Sequence, residues 1–242
     1  MALSIPERIA QVAEHFAAHA SHGYSQPNRG TGGVETVKLS DGSKVAVTNS
    51  DVDCSEMVRQ CVNCALSANY RGPIEYMWTG NEDEELRAQG FERSAFAKGS
   101  VRRGDVLWRS GHTGVALGGG RQAEAAHDEN GGITGPRKGD QTGDEVRATT
   151  LSSNWTYIYR HTDGNVARPI AATYRVTVTV ETNVRSAPSM DASVTGTLPP
   201  GYKVTCDGWL QASGRIWATY LATSGKRRYV SLGTSHSWVV VS

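Results

Sequence analysis

Three cysteines fall within the stretch "SDVDCSEMVRQCVNCAL", residues 50–66, and they raise the first question of chemistry. Asp53 and Glu56 have the spacing of a capping box, which marks a helix start. Met57, Val58, Cys61, Val62, Ala65 and Leu66 then recur on one helical face, and Gly72-Pro73 lies beyond its end. Cys54 thus takes the first helical position, where unpaired backbone N–H groups and the helix dipole favour an anion. The thiolate is the nucleophilic form of cysteine, and this position predicts a pKa well below the usual ~8.5. Cys61 and Cys64 lie further along the helix and lose that advantage. Zinc at this C-x-x-C pair would need two more ligands, and neither a second C-x-x-C nor a nearby H-x-x-x-H supplies them. A redox pair should precede a helix, whereas this one lies inside it. Both are expected as small buried helix residues. Four cysteines in 242 residues are too sparse for a disulfide scaffold.

A thiolate needs a partner that takes its proton and later protonates a leaving amine. His112 follows the tight turn "RSGH" and opens an apolar run of small residues, so it can point from a strand end towards a helix start. His15, His19 and His22 share a helical face at i, i+4, i+7. No carboxylate or fourth histidine in the sequence is placed to complete a metal site there. An exposed face is expected, with no metal and no cofactor.

Helices and strands must hold these groups. Ser4 and Glu7 have capping-box spacing, Pro6 suits a first turn, and Ile9, Val12, Ala13 and Phe16 form a stripe, which predicts an N-terminal helix. A glycine-rich loop region follows, then the helix at Asp53. "GDVLWRSGHTGVALGGGRQAEAAHDE" predicts three strands with turns at Ser110-Gly111 and Gly118–Gly120. Helices followed by an antiparallel sheet make an α+β domain over residues 1–163. "DGNVARPIAAT" predicts a linker over 164–172. Beyond it, "YRVTVTVETNVRSAP", "GYKVTCDGW", "RIWATYLA" and "RRYVSLG" predict a small all-β barrel over 173–242. That part has seven Lys and Arg against three Asp and Glu, giving +4 and leaving −3 in a chain of net charge +1. A near-neutral chain is not expected to bind nucleic acid, and its basic tail suits attachment to an anionic surface. No apolar run approaches the ~18–20 residues of a membrane span, and charges interrupt the N-terminus where a signal peptide would be apolar.

"VDCSEMVRQ" followed by "VRRGDVLWRSGHTGVALGGGRQAEA" resembles the papain-like NlpC-type cell-wall peptidases and the related CHAP amidases. The resemblance covers roughly residues 5–161 and rests on D-C-S at a helix start, G-D before a strand and G-H on the next. "AEAAHDENGGITGPRKGDQTGDEV" is similar to catalytic domains of phage endolysins. "NVRSAP", "G-T-L-x-x-G" and "RRYVSL" resemble bacterial SH3-like wall-binding domains over about residues 173–242.

The resemblance implies a papain-like catalytic domain in which Cys54 attacks an amide carbonyl and His112 serves as base and then acid. The family's third residue, which orients the imidazole, falls at Glu124, with His127 as rival. Tyr24 corresponds to a tyrosine lining the substrate groove, although "SQPNRG" replaces the family's glycine pair after it. Asp53 and Ser55 are substrate contacts in relatives, and helix capping also explains them. Asp140 and Gln141 line the same cleft or form a plain polar turn. In the tail, Trp209, Trp217, Tyr220 and Tyr229 stack on a ligand or fill the core, and Lys226–Arg228 meet wall anions. The implied partner is bacterial peptidoglycan, with no membrane insertion. The implied activity is endopeptidase cleavage between D-Glu and the diamino acid of the stem. N-acetylmuramoyl-L-alanine amidase activity and wall binding without catalysis stand as alternatives. An endolysin without a signal peptide is expected in the host cytoplasm until its release to the wall.

Overall fold

The computed structural model describes residues 3–161, 168–212, 215–232 and 239–241. The chain divides into two compact units. One comprises Met1–Glu82 with Arg93–Arg160, and the other Asp83–Glu92 with His161–Ser242.

The first unit opens with α1 (Ile5–Ala18), capped by Ser4, whose hydroxyl accepts from the Glu7 N–H at 3.3 Å. Its stripe of Ile9, Val12, Ala13 and Phe16 is fully buried. Arg103 clamps the outer face of α1 through Glu7 and Glu14, with bonds of 2.5–3.0 Å, and also donates to the Leu117 carbonyl. Gly104 permits this approach, because a Cβ there would stand 2.1 Å from the Pro6 carbonyl oxygen.

The expected loop region instead contains the antiparallel hairpin β1 (Val34–Lys38) and β2 (Lys44–Thr48). Asp41 turns it by accepting from the Ser43 N–H and hydroxyl, with Gly42 at φ 83°. Next comes α2 (Cys54–Ser67), which ends on Ala68 in the left-handed region. Its apolar stripe is buried from Met57 to Ala65, and so is its polar face. Glu56 and Arg59 pair at 2.6 and 2.8 Å, Arg59 and Asn63 donate to the carbonyls of Tyr70 and Ile74, and Gln60 accepts from the Thr48 N–H. A helix satisfied on every side has little freedom to slide, which fixes the position of Cys54.

After α3 (Glu82–Ala88) come β3 (Phe91–Ala95), β4 (Val106–Arg109), β5 (His112–Gly118), β6 (Arg121–Ala125), β7 (Val146–Thr150) and β8 (Tyr157–His161). They form a sheet of order β3-β8-β4-β5-β6-β7, antiparallel from β8 to β7. Both long helices pack on its middle, α1 and α2 against β5 and β6. This is the expected arrangement of helices on an antiparallel sheet.

In the second unit, β9 (Arg168–Val178), β10 (Thr182–Arg185), β11 (Val194–Leu198), β12 (Lys203–Ala212), β13 (Arg215–Leu221), β14 (Arg227–Ser231) and β15 (Val239–Val241) form a sheet of order β11-β10-β14-β13-β12-β9-β15. Strand β9 begins inside the expected 164–172 linker, pairing Arg168 with Trp209 and Pro169 with Gly208; residues 164–167 lie outside the described ones. Val176, Val178, Val184, Leu198, Val204, Cys206, Ala218, Val230 and Leu232 make the core. Trp217 and Tyr229 are fully buried and pack with Ala88, so these two aromatics are core rather than surface, while Trp209 is exposed. Among the described residues no helix is long and apolar enough to cross a membrane.

Candidate functional site

Asp53 caps α2 as the spacing predicts, accepting from the Glu56 N–H at 2.7 Å and the Ser55 hydroxyl at 2.8 Å. Its other oxygen is held by Arg29, a residue the sequence reading did not single out, which also donates to Ser55 at 3.0 Å and lies over the Tyr76 ring. Cys54 follows, a free thiol with little exposed surface.

The expected low pKa is not found. Burial pushes the Cys54 thiol up to about 12, and the Asp53 carboxylate beside it adds to the rise. The backbone N–H groups of Thr113 and Ser55 favour the thiolate, but they do not outweigh a buried, acid-flanked position. Cys54 therefore rests as a thiol. Cys61 and Cys64 are buried inside α2 as expected, with Cys64 donating to the Ala46 carbonyl at 3.2 Å.

His112 opens β5 after the two-residue turn Ser110-Gly111, where Gly111 has φ 76°. The β5–β6 hairpin brings its Nε2 to Glu124 Oε2 at 2.9 Å. The other oxygen of Glu124 accepts from Arg147 at 3.2 Å across the β6–β7 pair. Burial alone would raise the Glu124 carboxyl; the His112 hydrogen bond and the charges of His112 and Arg147 outweigh it and hold the group below the usual carboxylate value. Trp155 stacks on the His112 ring at 5.5 Å and 12°. Gln122 joins the set, accepting from Trp155 Nε1 at 2.9 Å and donating to Glu124 at 3.2 Å. His127 turns away from this network, with Nδ1 2.9 Å from the Asp128 carbonyl. The cross-strand register thus joins His112 to Glu124 and not to His127.

Two cavities adjoin these groups. One of about 320 Å³ is lined by Arg29, Asp53, Cys54, Ser55, Tyr76 and Trp78. The other, about 600 Å³, is lined by Tyr24, His112, Glu124, His127, Arg147 and Trp155. Gln26 and Gly111 line both, so the two share a border between the Cys54 side and the His112 side. Tyr24 is buried, its backbone N–H bonds to Glu145 at 3.0 Å, and burial followed by the nearby Cys54 raises its hydroxyl to about 12. Asp140 and Gln141 line neither cavity; they build a turn in which Asp140 accepts from Thr142 and Gly143 and Gln141 donates to Lys138 and Gly139.

Glu82 was also missed. It is fully buried, its Oε1 lies 2.6 Å from Thr113 Oγ1, and its Oε2 has no hydrogen-bond partner. Thr113 Oγ1 is also 2.9 Å from the Leu107 carbonyl oxygen. Thr113 has one proton for two acceptors, and a protonated Glu82 resolves the conflict. Burial accordingly raises Glu82 to about 8. Nothing in the local sequence marks Glu82, since its role comes from a strand thirty residues away.

In the tail unit Arg227 pairs with Asp207 at 2.6 Å and Lys226 lies 3.9 Å from Glu84, so these two cations have acidic partners.

The chain belongs to the endolysin-like domain family, whose pattern matches residues 2–123 and 122–179. A bacterial SH3 domain pattern matches residues 167–232, and the C-terminal sheet is SH3b-like. Over 51 residues the chain is 41% identical to probable autolysin PH of Staphylococcus aureus (strain NCTC 8325 / PS 47), 21% of this chain. That match spans about a tenth (10%) of the curated relative's length. Among solved structures the chain is similar to an SH3b domain in complex with L-canavanine, at 22% identity over 33% of this chain and 90% of that one, with a TM-score of 0.29. It is also similar to Ly7917, at 14% identity over 99% and 100% of the two chains, with a TM-score of 0.33.

Proposed function

We propose that the protein is a cysteine peptidoglycan hydrolase of the papain-like NlpC/CHAP type, with residues 1–163 catalytic and the C-terminal SH3b-like region holding the enzyme to the wall. The observation that carries this reading is the shared border of the two cavities, with the helix-start thiol on one side and the Glu124-held imidazole on the other. Membership of the endolysin-like family supports the substrate.

With its Nε2 engaged by Glu124, His112 uses Nδ1 to take the thiol proton as Cys54 Sγ attacks the amide carbonyl. Because burial keeps the thiol protonated at rest, deprotonation accompanies attack instead of preceding it. The Thr113 and Ser55 N–H groups stabilise negative charge developing at the sulfur, and the Cys54 N–H at the start of α2 serves the oxyanion. His112 then gives the proton to the leaving amine, which departs as the thioester forms. Water, deprotonated by His112, hydrolyses the thioester and restores the thiol.

Arg109 lines the larger cavity beside Arg147, while Arg29 and Arg147 are held by Asp53 and Glu124, and such a groove suits a stem peptide bearing a free carboxylate. This favours cleavage within the stem, between D-Glu and the diamino acid, over the muramoyl-L-alanine amide. Tyr24, Asp53 and Ser55 border the groove; Asp53 and Ser55 act chiefly by fixing Arg29 and the helix start. Digestion of purified walls followed by mass spectrometry of the released muropeptides tests the proposal. New D-Glu termini are expected. Intact lactyl groups freed of their peptides would establish the amidase, and no release would leave a wall-binding protein.

A further inference from the structure

A second imidazole–carboxylate cluster lies outside this cleft, and the reaction does not use it. His15 near the end of α1, His22 in the loop after it, and Glu35 on β1 converge on one point. Oε1 of Glu35 lies 2.6 Å from His15 Nε2 and 2.8 Å from His22 Nε2, and the three ligand atoms fall within 4.8 Å of one another. The sequence alone places no carboxylate to join these histidines, and an exposed face is expected from it. The hairpin supplies Glu35 from 13 residues beyond His22, and His22 itself is fully buried.

Hydrogen bookkeeping makes the cluster more than a polar contact. His22 Nδ1 is 3.2 Å from the Ser50 carbonyl, which can only accept, so Nδ1 carries the hydrogen. In the neutral ring Nε2 is then a bare lone pair aimed at a carboxylate oxygen, an arrangement that a shared proton or a metal ion bridges. The ring centroid of His22 is 5.7 Å from that of His15, which lies 4.0 Å from that of His19, so three imidazoles gather beside the one carboxylate. A divalent ion uses one ligand atom from each of the three residues at once. A backbone carbonyl that fixes the tautomer of a buried histidine is also the usual outer partner of a metal-bound imidazole.

We propose that His15, His22 and Glu35 bind a divalent transition cation of the zinc class, with water completing a four-coordinate site. Two imidazoles and one carboxylate suit Zn²⁺, at about 2.0–2.2 Å per ligand. At tetrahedral angles the 2.6 and 2.8 Å contacts open to about 3.3 Å to admit it. The cluster contains no nucleophile, and it fastens α1 and its following loop to β1. Its role is to brace the fold.

The test uses the full chain, freed of metal by chelator and desalted, then titrated with ZnCl₂ against a chromophoric chelator. One Zn²⁺ per chain at submicromolar affinity is expected, together with a higher thermal midpoint. Co²⁺ should give d–d absorption without a thiolate charge-transfer band. Glu35→Gln and His15→Gln alter partly exposed positions, and each should weaken binding at least about tenfold. The proposal is overturned if the wild-type chain binds no stoichiometric Zn²⁺, if both variants bind as tightly as wild type, or if the Co²⁺ spectrum shows thiolate ligation. None of these readouts depends on hydrolysis, so they stand apart from the assignment of the cleft.

Discussion

The cleft and the α1 cluster are both imidazole–carboxylate arrangements in one folded unit, and they are built in opposite ways. At the cleft one imidazole meets one oxygen of Glu124, and Arg147 occupies the other. Trp155 fixes the ring plane, and Nδ1 has no hydrogen-bond partner among the described residues. At α1 two imidazoles meet the same oxygen of Glu35, and the tautomer of the buried ring is locked by a carbonyl. The first arrangement leaves a nitrogen able to exchange a proton. The second gathers three ligand atoms around one point, the arrangement proposed to hold a cation. The difference teaches that the same residue types, with one ring or two on a carboxylate oxygen, leave different atoms free for chemistry.

The largest effect that can break this comparison is at the nucleophile. Cys54→Ala should reduce wall hydrolysis to background while wall binding persists, as turbidity loss and co-sedimentation would show. Hydrolysis near the wild-type rate would move the chemistry elsewhere. In the unsubstituted protein, alkylation of Cys54 by iodoacetamide should climb about tenfold per pH unit from 7 to 10, because burial raises its pKa to about 12. A rate already at plateau near neutrality would instead mean a preformed thiolate–imidazolium pair.

Glu124→Gln comes next. It keeps the shape of the network but removes the charge that stabilises an imidazolium, and a general base is worth ~10²–10⁴ in rate. A loss of kcat of about ten- to a hundredfold is expected, against no more than about threefold for His127→Ala. The reverse order would show that His127 swings into the role that the static register gives to Glu124.

What the sequence made legible, and what it hid, follows the same physical line. The caps at Ser4 and Asp53, both helical stripes and the three strands around His112 could be read because each signal is local. The β1–β2 hairpin was equally readable from alternating residues around "SDGSK", yet the surrounding glycines drew it into a loop. Arg29, Glu82, Gln122 and Trp155 were hidden because their meaning lies in partners 24 to 33 residues away. The Cys54 pKa was misjudged for a related reason. Helix position can be read in the chain, whereas burial and the orientation of Asp53 emerge only after folding.

Glu82 gives a smaller, pH-dependent effect. Its carboxyl, raised from 4.5 to about 8, is neutral in the folded protein below that range and acquires a charge facing Asp53 and Cys54 above it. That charge disfavours the thiolate, so the hydrolysis rate should fall a few-fold above pH 8, and Glu82→Gln should flatten the decline. Stability follows the same sign. A group whose pKa is raised by folding contributes stability fully present below its unfolded value and lost as pH rises through the folded one. The wild-type thermal midpoint should therefore drop relative to Glu82→Gln between about pH 4.5 and 8. Parallel pH profiles for the two proteins would show that Glu82 does not titrate there.

The smallest expected effect on catalysis sharpens the comparison most. If the α1 cluster only braces the fold, stripping metal from the full chain should change the initial hydrolysis rate at 25 °C by less than about twofold. The thermal midpoint should fall over the same treatment, and one equivalent of Zn²⁺ should restore it. The reasoning is geometric: His15, His22 and Glu35 contact neither cavity of the cleft, and α1 reaches the sheet through its buried face. A folded, metal-free molecule would keep Cys54, His112 and Glu124 in register, because α2 and the β5–β6 hairpin have their own hydrogen bonds. A rate that collapsed with the metal at temperatures well below unfolding would mean that the brace also sets the position of the nucleophile. The two clusters would then be coupled parts of one site.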